Sequence, residues 1–165
     1  MKPVRAEPST GARTARPVAD QTLMRAALAL ARRGLLAGEA PVGACVVQDG
    51  RVIASAHTAV AGGPDSTAHA EILAIRAACR SARSTTLADC ELYVSVEPCA
   101  MCLAACHYAG IQQVFFAASL QDMQAVTGHE LGAPVPASVR LQGDVLGDEA
   151  RALLAEWAVQ RQERV

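Results

Sequence analysis

Apolar residues along this chain repeat with two periods, and the alternation between them predicts the elements. Leu23, Ala27, Leu30 and Ala31 recur at helical spacing behind Asp20, a capping residue, so a helix is expected through about Ala37 with Gly38 as its stop. Val42–Val47 is a short β-type run, Asp49-Gly50 reads as a hairpin turn, and Arg51–Ala56 is the returning strand. After a loop over Gly62-Gly63-Pro64-Asp65, Ser66 or Thr67 starts a helix to about Ser84. Leu92–Val96 alternates like a buried strand. Pro98 ends it and opens a helix from Cys99 to about Ala109, because proline suits a first helical turn. Val114–Ala118 reads as a strand, Leu120–Val126 as a short helix and Val139–Val145 as a strand. A closing helix, Asp148–Gln160, carries Leu153, Leu154 and Trp157 on one face. Strands alternating with helices predict a three-layer α/β/α domain around one mixed sheet, spanning residues 20–165. Residues 1–19 hold Pro3, Pro8 and Pro17 and no hydrophobic period, and are expected to form a disordered tail.

Composition narrows the class. At 165 residues, 52% hydrophobic and 19% charged, the chain fits one globular domain with a sizeable core. Aromatics are 3%, so an aliphatic core is expected. The formal charge of −1 gives no general attraction for a polyanion. No apolar run approaches the roughly 18 residues of a membrane span. Lys2 and Arg5 are not followed by the apolar stretch of a secretory signal. Six cysteines without an export signal suggest a reducing, cytoplasmic setting, where they act as ligands or small core residues.

Two segments carry candidate chemistry: Thr67-Ala68-His69-Ala70-Glu71 and Glu97-Pro98-Cys99-Ala100-Met101-Cys102. Cys99 and Cys102 are three apart at a helix start, so their sulfurs share a face, and the helix N-terminus favours thiolate. Two thiolates make half of a tetrahedral zinc site. The chain has no second Cys-x-x-Cys to close it, and the natural third ligand is His69, also at a helix start. Three protein ligands leave the fourth position for water, the catalytic arrangement. Cys106, one turn beyond Cys102, reads as a small apolar residue on the buried face. Glu71 is placed to move protons beside that water. Alone it reads equally well as a favourable acid on the helix dipole.

His-x-Glu followed by Pro-Cys-x-x-Cys is the mark of zinc deaminases, with the Glu as proton shuttle and not ligand. From Glu39 to about Ala118 the chain resembles the cytidine and deoxycytidylate deaminase superfamily. The resemblance lies in Ala40-Pro41-Val42-Gly43-Ala44, Asp65-Ser66-Thr67-Ala68-His69-Ala70-Glu71 and Leu92–Cys102. It implies a central five-stranded sheet, one zinc ion between two helix starts, commonly a homodimer, and hydrolytic loss of ammonia from a nucleobase-like substrate. Glu71 would be catalytic; His69, Cys99 and Cys102 would hold the metal. Ala44, His57, Thr58, Ala70, Glu97, Pro98 and Tyr108 would lie at the substrate. A non-catalytic zinc scaffold is the alternative of another class, and Glu71 argues against it.

Two branches look closest, one acting on tRNA adenosine and one on free guanine. Both usually place an asparagine where this chain has Thr58, preceded by His57. A single hydroxyl does not pair with a purine edge as an amide does. Gly110 stands where the tRNA branch has a basic residue, and His107-Tyr108-Ala109 resembles the guanine branch. The acidic pair expected further on is replaced by His129-Glu130. The formal charge of −1, Gly110 and the bulky ring of Tyr108 favour a free aminated base, foremost a purine, over tRNA adenosine, while Thr58 and His129-Glu130 leave the base identity open to cytosine-like rings or triazines.

Overall fold

The computed structural model describes residues 18–63, 65–128 and 139–162. The tail residues 1–17, Pro64, and His129-Glu130 lie outside these described residues. Helix α1 (Gln21–Leu36) begins where Asp20 accepts a hydrogen bond from the Thr22 amide at 2.7 Å. Strands β1 (Gly43–Gln48) and β2 (Arg51–His57) form the expected hairpin. Asp49 and Gly50 both take positive φ, as a type I′ turn requires. There follow α2 (Ala70–Ala82), β3 (Cys90–Val96), α3 (Ala100–Ala109), β4 (Gln113–Ala118), α4 (Leu120–Thr127), β5 (Arg140–Gln142) and α5 (Gly147–Gln162).

The five strands make one mixed sheet in the order β2-β1-β3-β4-β5. β1 is antiparallel to both of its neighbours, while β3, β4 and β5 run parallel. Helices α1 and α5 pack together on one face, and α2 and α3 on the other, giving three layers. Strand β1 can touch α1 because Gly43 has no side chain. A Cβ there would overlap the Ala27 carbonyl oxygen and lie 2.5 Å from the Ala31 nitrogen. The Gly43 amide donates to the buried Ser95 hydroxyl at 3.0 Å, and that hydroxyl donates to the Pro41 carbonyl at 3.2 Å, locking the head of β1 to β3.

The core is mainly aliphatic, with one departure. Tyr93 and Phe115, paired across β3 and β4, are buried and stack with centroids 4.6 Å apart. The Tyr93 hydroxyl is satisfied by the Asp20 amide, so burying it leaves no orphan.

This topology gathers one end of the sheet. The head of β1, the end of β2 and the ends of β3 and β4 come together, with Gly43 opposite His57, Ala44 opposite Val94 and Val96 opposite Ala118. The carboxyl ends of parallel strands are where open α/β sheets form crevices.

Candidate metal centre and cavity

His69 and Cys99 sit at the same kind of position, each the N-cap of its helix, with extended backbone. Neither side chain caps its own helix. Both point instead to a common place. Cys99 Sγ lies 3.7 Å from His69 Nδ1 and 3.7 Å from Cys102 Sγ, and Cys102 Sγ lies 3.5 Å from His69 Nδ1. A tetrahedral zinc ion, with bonds of about 2.3 Å to sulfur and about 2.0–2.1 Å to nitrogen, separates two sulfurs by about 3.8 Å and sulfur from nitrogen by about 3.6 Å. The three observed separations match the edges of that tetrahedron. Two sulfurs and one imidazole nitrogen are also the donor chemistry that zinc favours. Among the described residues these three form the cluster positioned to bind one metal ion.

Without an ion the two sulfurs share one proton unequally. The Cys99 thiol is pulled down to about 4, first by the hydrogen bond from Cys102 and then by His69. Cys102 is pushed far up, first by its bond to the Cys99 sulfur and then by burial. His69 is raised, chiefly by its hydrogen bond with Cys99. The sulfurs alone thus favour one thiolate, whereas a divalent cation between them favours two. Cys106 is buried and outside the cluster. Burial, followed by the nearby Glu71, pushes its thiol up to about 12, as suits a core residue.

Glu71 is 3% exposed in the first turn of α2. It stands outside the three-donor set, and its Oε2 has no hydrogen-bond partner among the described residues. Burial raises its pKa. A buried carboxylate oxygen with no protein partner is costly as scaffolding and suited to a group that meets water or substrate.

A cavity of about 490 Å³ opens over the centre, and His69, Glu71 and Cys99 line it. Of the other residues expected at a substrate, Thr58 and Glu97 also line it. Thr58 is 6% exposed, with its amide bonded to the Val42 carbonyl. Glu97 accepts from the Leu120 amide at 2.9 Å, tying the approach to α3 to the start of α4. Ala44 and Ala70 are fully buried and Pro98 is buried, all off the cavity wall; Val42 lines it, two residues ahead of Ala44. His57 lies against Gly34, its Nδ1 2.7 Å from the Thr58 carbonyl oxygen. Tyr108 is 85% exposed on α3, away from the cavity, its ring beside His107.

The rest of the wall was not singled out by sequence. It includes Glu39, Val60, Ala61, Leu120, Met123 and Trp157. Glu39 carried a signal: it is an acid at the edge of an otherwise apolar stretch leading into β1.

A family model for the cytidine and deoxycytidylate deaminase zinc-binding region matches residues 17–118. A tRNA-specific adenosine deaminase of Aquifex aeolicus is 46% identical over 95 residues, 58% of this chain and 63% of that protein. A guanine deaminase of Bacillus subtilis is 45% identical over 103 residues, 62% of this chain and 66% of that protein. The aligned stretch spans slightly less than two thirds of each of these relatives. Among solved structures, guanine deaminase from Nitrosomonas europaea superposes with a TM-score of 0.78 at 31% identity, covering 87% of this chain and 86% of that one. NE0047 in complex with 2,6-diaminopurine gives 0.78 at 32%, covering 87% and 84%.

Proposed function

Because this chain belongs to the cytidine and deoxycytidylate deaminase family through its zinc-binding region, we propose that it is a hydrolytic deaminase acting on a free nucleobase-like ring, foremost a purine such as guanine. The observation that carries this reading is Glu71, which is buried beside a three-donor metal centre, lines the cavity and has one oxygen without a hydrogen-bond partner among the described residues.

The roles follow from placement. His69, Cys99 and Cys102 hold zinc, which when bound supplies the Lewis acidity that makes water a nucleophile near neutral pH. Glu71 takes a proton from the attacking water and delivers it to a ring nitrogen. Oxygen bonds to the amine-bearing carbon, Glu71 then moves the remaining water proton from that oxygen to the departing amine, and the carbon–nitrogen bond breaks with release of ammonia. Thr58 offers a hydroxyl to the ring, and the Glu97 segment walls it from the α4 side.

Charge in the cavity favours a neutral substrate. Glu39, Glu71 and Glu97 line it, and no arginine or lysine does so among the described residues. Carboxylates without cations disfavour a phosphorylated ligand. The relatives divide, however, between free guanine and tRNA adenosine at nearly equal identity. A tRNA adenosine deaminase is therefore the second reading, supported by the Aquifex relative. Ammonia release from guanine, adenine, cytosine and their nucleosides, measured beside inosine formation in an anticodon stem-loop, separates the two. Turnover of a free base is expected; efficient editing of the stem-loop without turnover of any base reverses the assignment.

A homodimer in a reducing, cytoplasmic setting completes the proposal. All six cysteines are free thiols. Helix α3 is apolar almost throughout, yet leaves Met101 and Ala104 only half-buried and Tyr108 exposed, a face suited to a second copy.

A further inference from the structure

Glu39 is 5% exposed and lines the cavity, yet it is remote from the metal donors in sequence and belongs to no helix or strand. Both of its carboxylate oxygens are engaged. Oε2 accepts from the Ala61 amide at 2.9 Å and Oε1 from the Gly62 amide at 2.7 Å. Its own amide donates to the Gly34 carbonyl at 2.9 Å, so the acid is anchored to the end of α1.

The segment it grips is the cavity wall that follows β2. Thr58 is held by the Val42 carbonyl and Ala59 by the Ala68 carbonyl, both through backbone bonds of 3.0 Å. Beyond Ala59, Glu39 supplies the described hydrogen bonds to the backbone of Ala61 and Gly62. Gly62 and Gly63 have no side chains with which to pack, and Ala61 and Gly62 are exposed, so this end of the segment is not held by side-chain burial. Thr58, Val60 and Ala61 from the same segment face the cavity.

We propose that Glu39 is a positioning residue: a buried carboxylate clamp that fixes the segment 58–63 as the substrate-facing wall of the cavity. It touches no reacting atom, and it acts through Thr58, Val60 and Ala61. Two charge-assisted bonds to successive amides define both the distance and the orientation of the wall. The inference rests on the deaminase reading for its effect on substrate, and on hydrogen bonding alone for its effect on the wall.

The test compares zinc-loaded protein with its Glu39→Ala and Glu39→Gln variants by amide hydrogen exchange, zinc content, thermal melting and guanine turnover. Exchange at Ala61 and Gly62 is expected to accelerate in Glu39→Ala while zinc content stays at one ion per chain. The KM for guanine is expected to rise about tenfold or more with kcat changed by less than about threefold, since uniform binding is lost and the chemistry is not. Glu39→Gln keeps one accepting oxygen and is expected to fall between; should Glu39→Ala not fold, Glu39→Gln carries the comparison. Unchanged exchange at 61 and 62 overturns the clamp. A lowered melting temperature with no separation of KM from kcat reduces Glu39 to a structural acid and overturns it also. If the unaltered protein turns over no guanine, the substrate reading fails, and exchange at the two amides still decides whether the clamp exists.

Discussion

Glu71 and the metal donors show how much one residue's chemistry constrains its place. Soft ligands at helix starts are few in any sequence, and Cys99, Cys102 and His69 were legible because zinc restricts both residue type and spacing. The same logic gives a sharp expectation for Glu71→Gln. The amide keeps the volume and cannot shuttle protons, so turnover should fall by about 10² to 10⁴. Zinc content, measured by atomic absorption on the same sample, should be unchanged, because Glu71 lies outside the donor set. Loss of zinc would make it a ligand. Leu120, Met123 and Trp157 were not legible as cavity residues, since an apolar side chain looks the same whether it faces a core or a ligand. Trp157 does lie on the apolar side of its helix, but periodicity does not say that the neighbour is a cavity.

Among the elements, kinds and order were written in the hydrophobic period, and boundaries were decided by local hydrogen bonds. Helix α2 starts at Ala70, later than Ser66 or Thr67, because the Ala68 amide bonds the Asp65 carbonyl and the His69 amide bonds the Thr67 carbonyl at 2.7 Å, a tight turn in place of helical i→i−4 bonds. That turn leaves His69 extended at the cap, where its ring reaches the metal centre. Helix α3 likewise begins at Ala100, with Cys99 as its cap and Pro98 just ahead. The expected strand over Val139–Val145 pairs only through Arg140–Gln142. Asp144 and Leu146 take positive φ, which ends the ladder, although the Val145 amide still reaches the Phe116 carbonyl. The contact of α1 with β1 yields a second expectation. Gly43→Ala drives a methyl into the backbone of Ala27 and Ala31, groups that cannot swing aside as a side chain would. A loss of about 3 kcal/mol is expected, seen in calorimetry as a melting temperature lower by about 6–12 °C. A change of under a degree would mean that α1 slides freely over the sheet.

For the whole molecule, the three-layer architecture was foreseeable from alternation, whereas assembly was not, because periodicity reports burial without naming what does the burying. Tyr108 is the sharpest probe: if α3 meets its counterpart in a second copy, Tyr108→Arg places a charge in that contact. Sedimentation should shift from dimer to monomer, and an unchanged distribution would remove α3 from the interface. The metal centre has a further consequence. Its donors come from two helices, and His69 and Cys102 are 33 residues apart in sequence, so zinc ties a long excursion of chain into a ring that only the folded state can close. Whatever binds the native state alone shifts unfolding by mass action: free zinc at about 1,000 times its Kd adds about 4 kcal/mol. At about 2–4 °C per kcal/mol the melting temperature becomes a gauge of zinc activity. Titration with a graded series of zinc buffers should move it continuously; a flat response would mean that the ring is closed as firmly by packing as by the ion. Where zinc is scarce, this protein would then lose lifetime, so that the supply of one trace element sets how much of it persists.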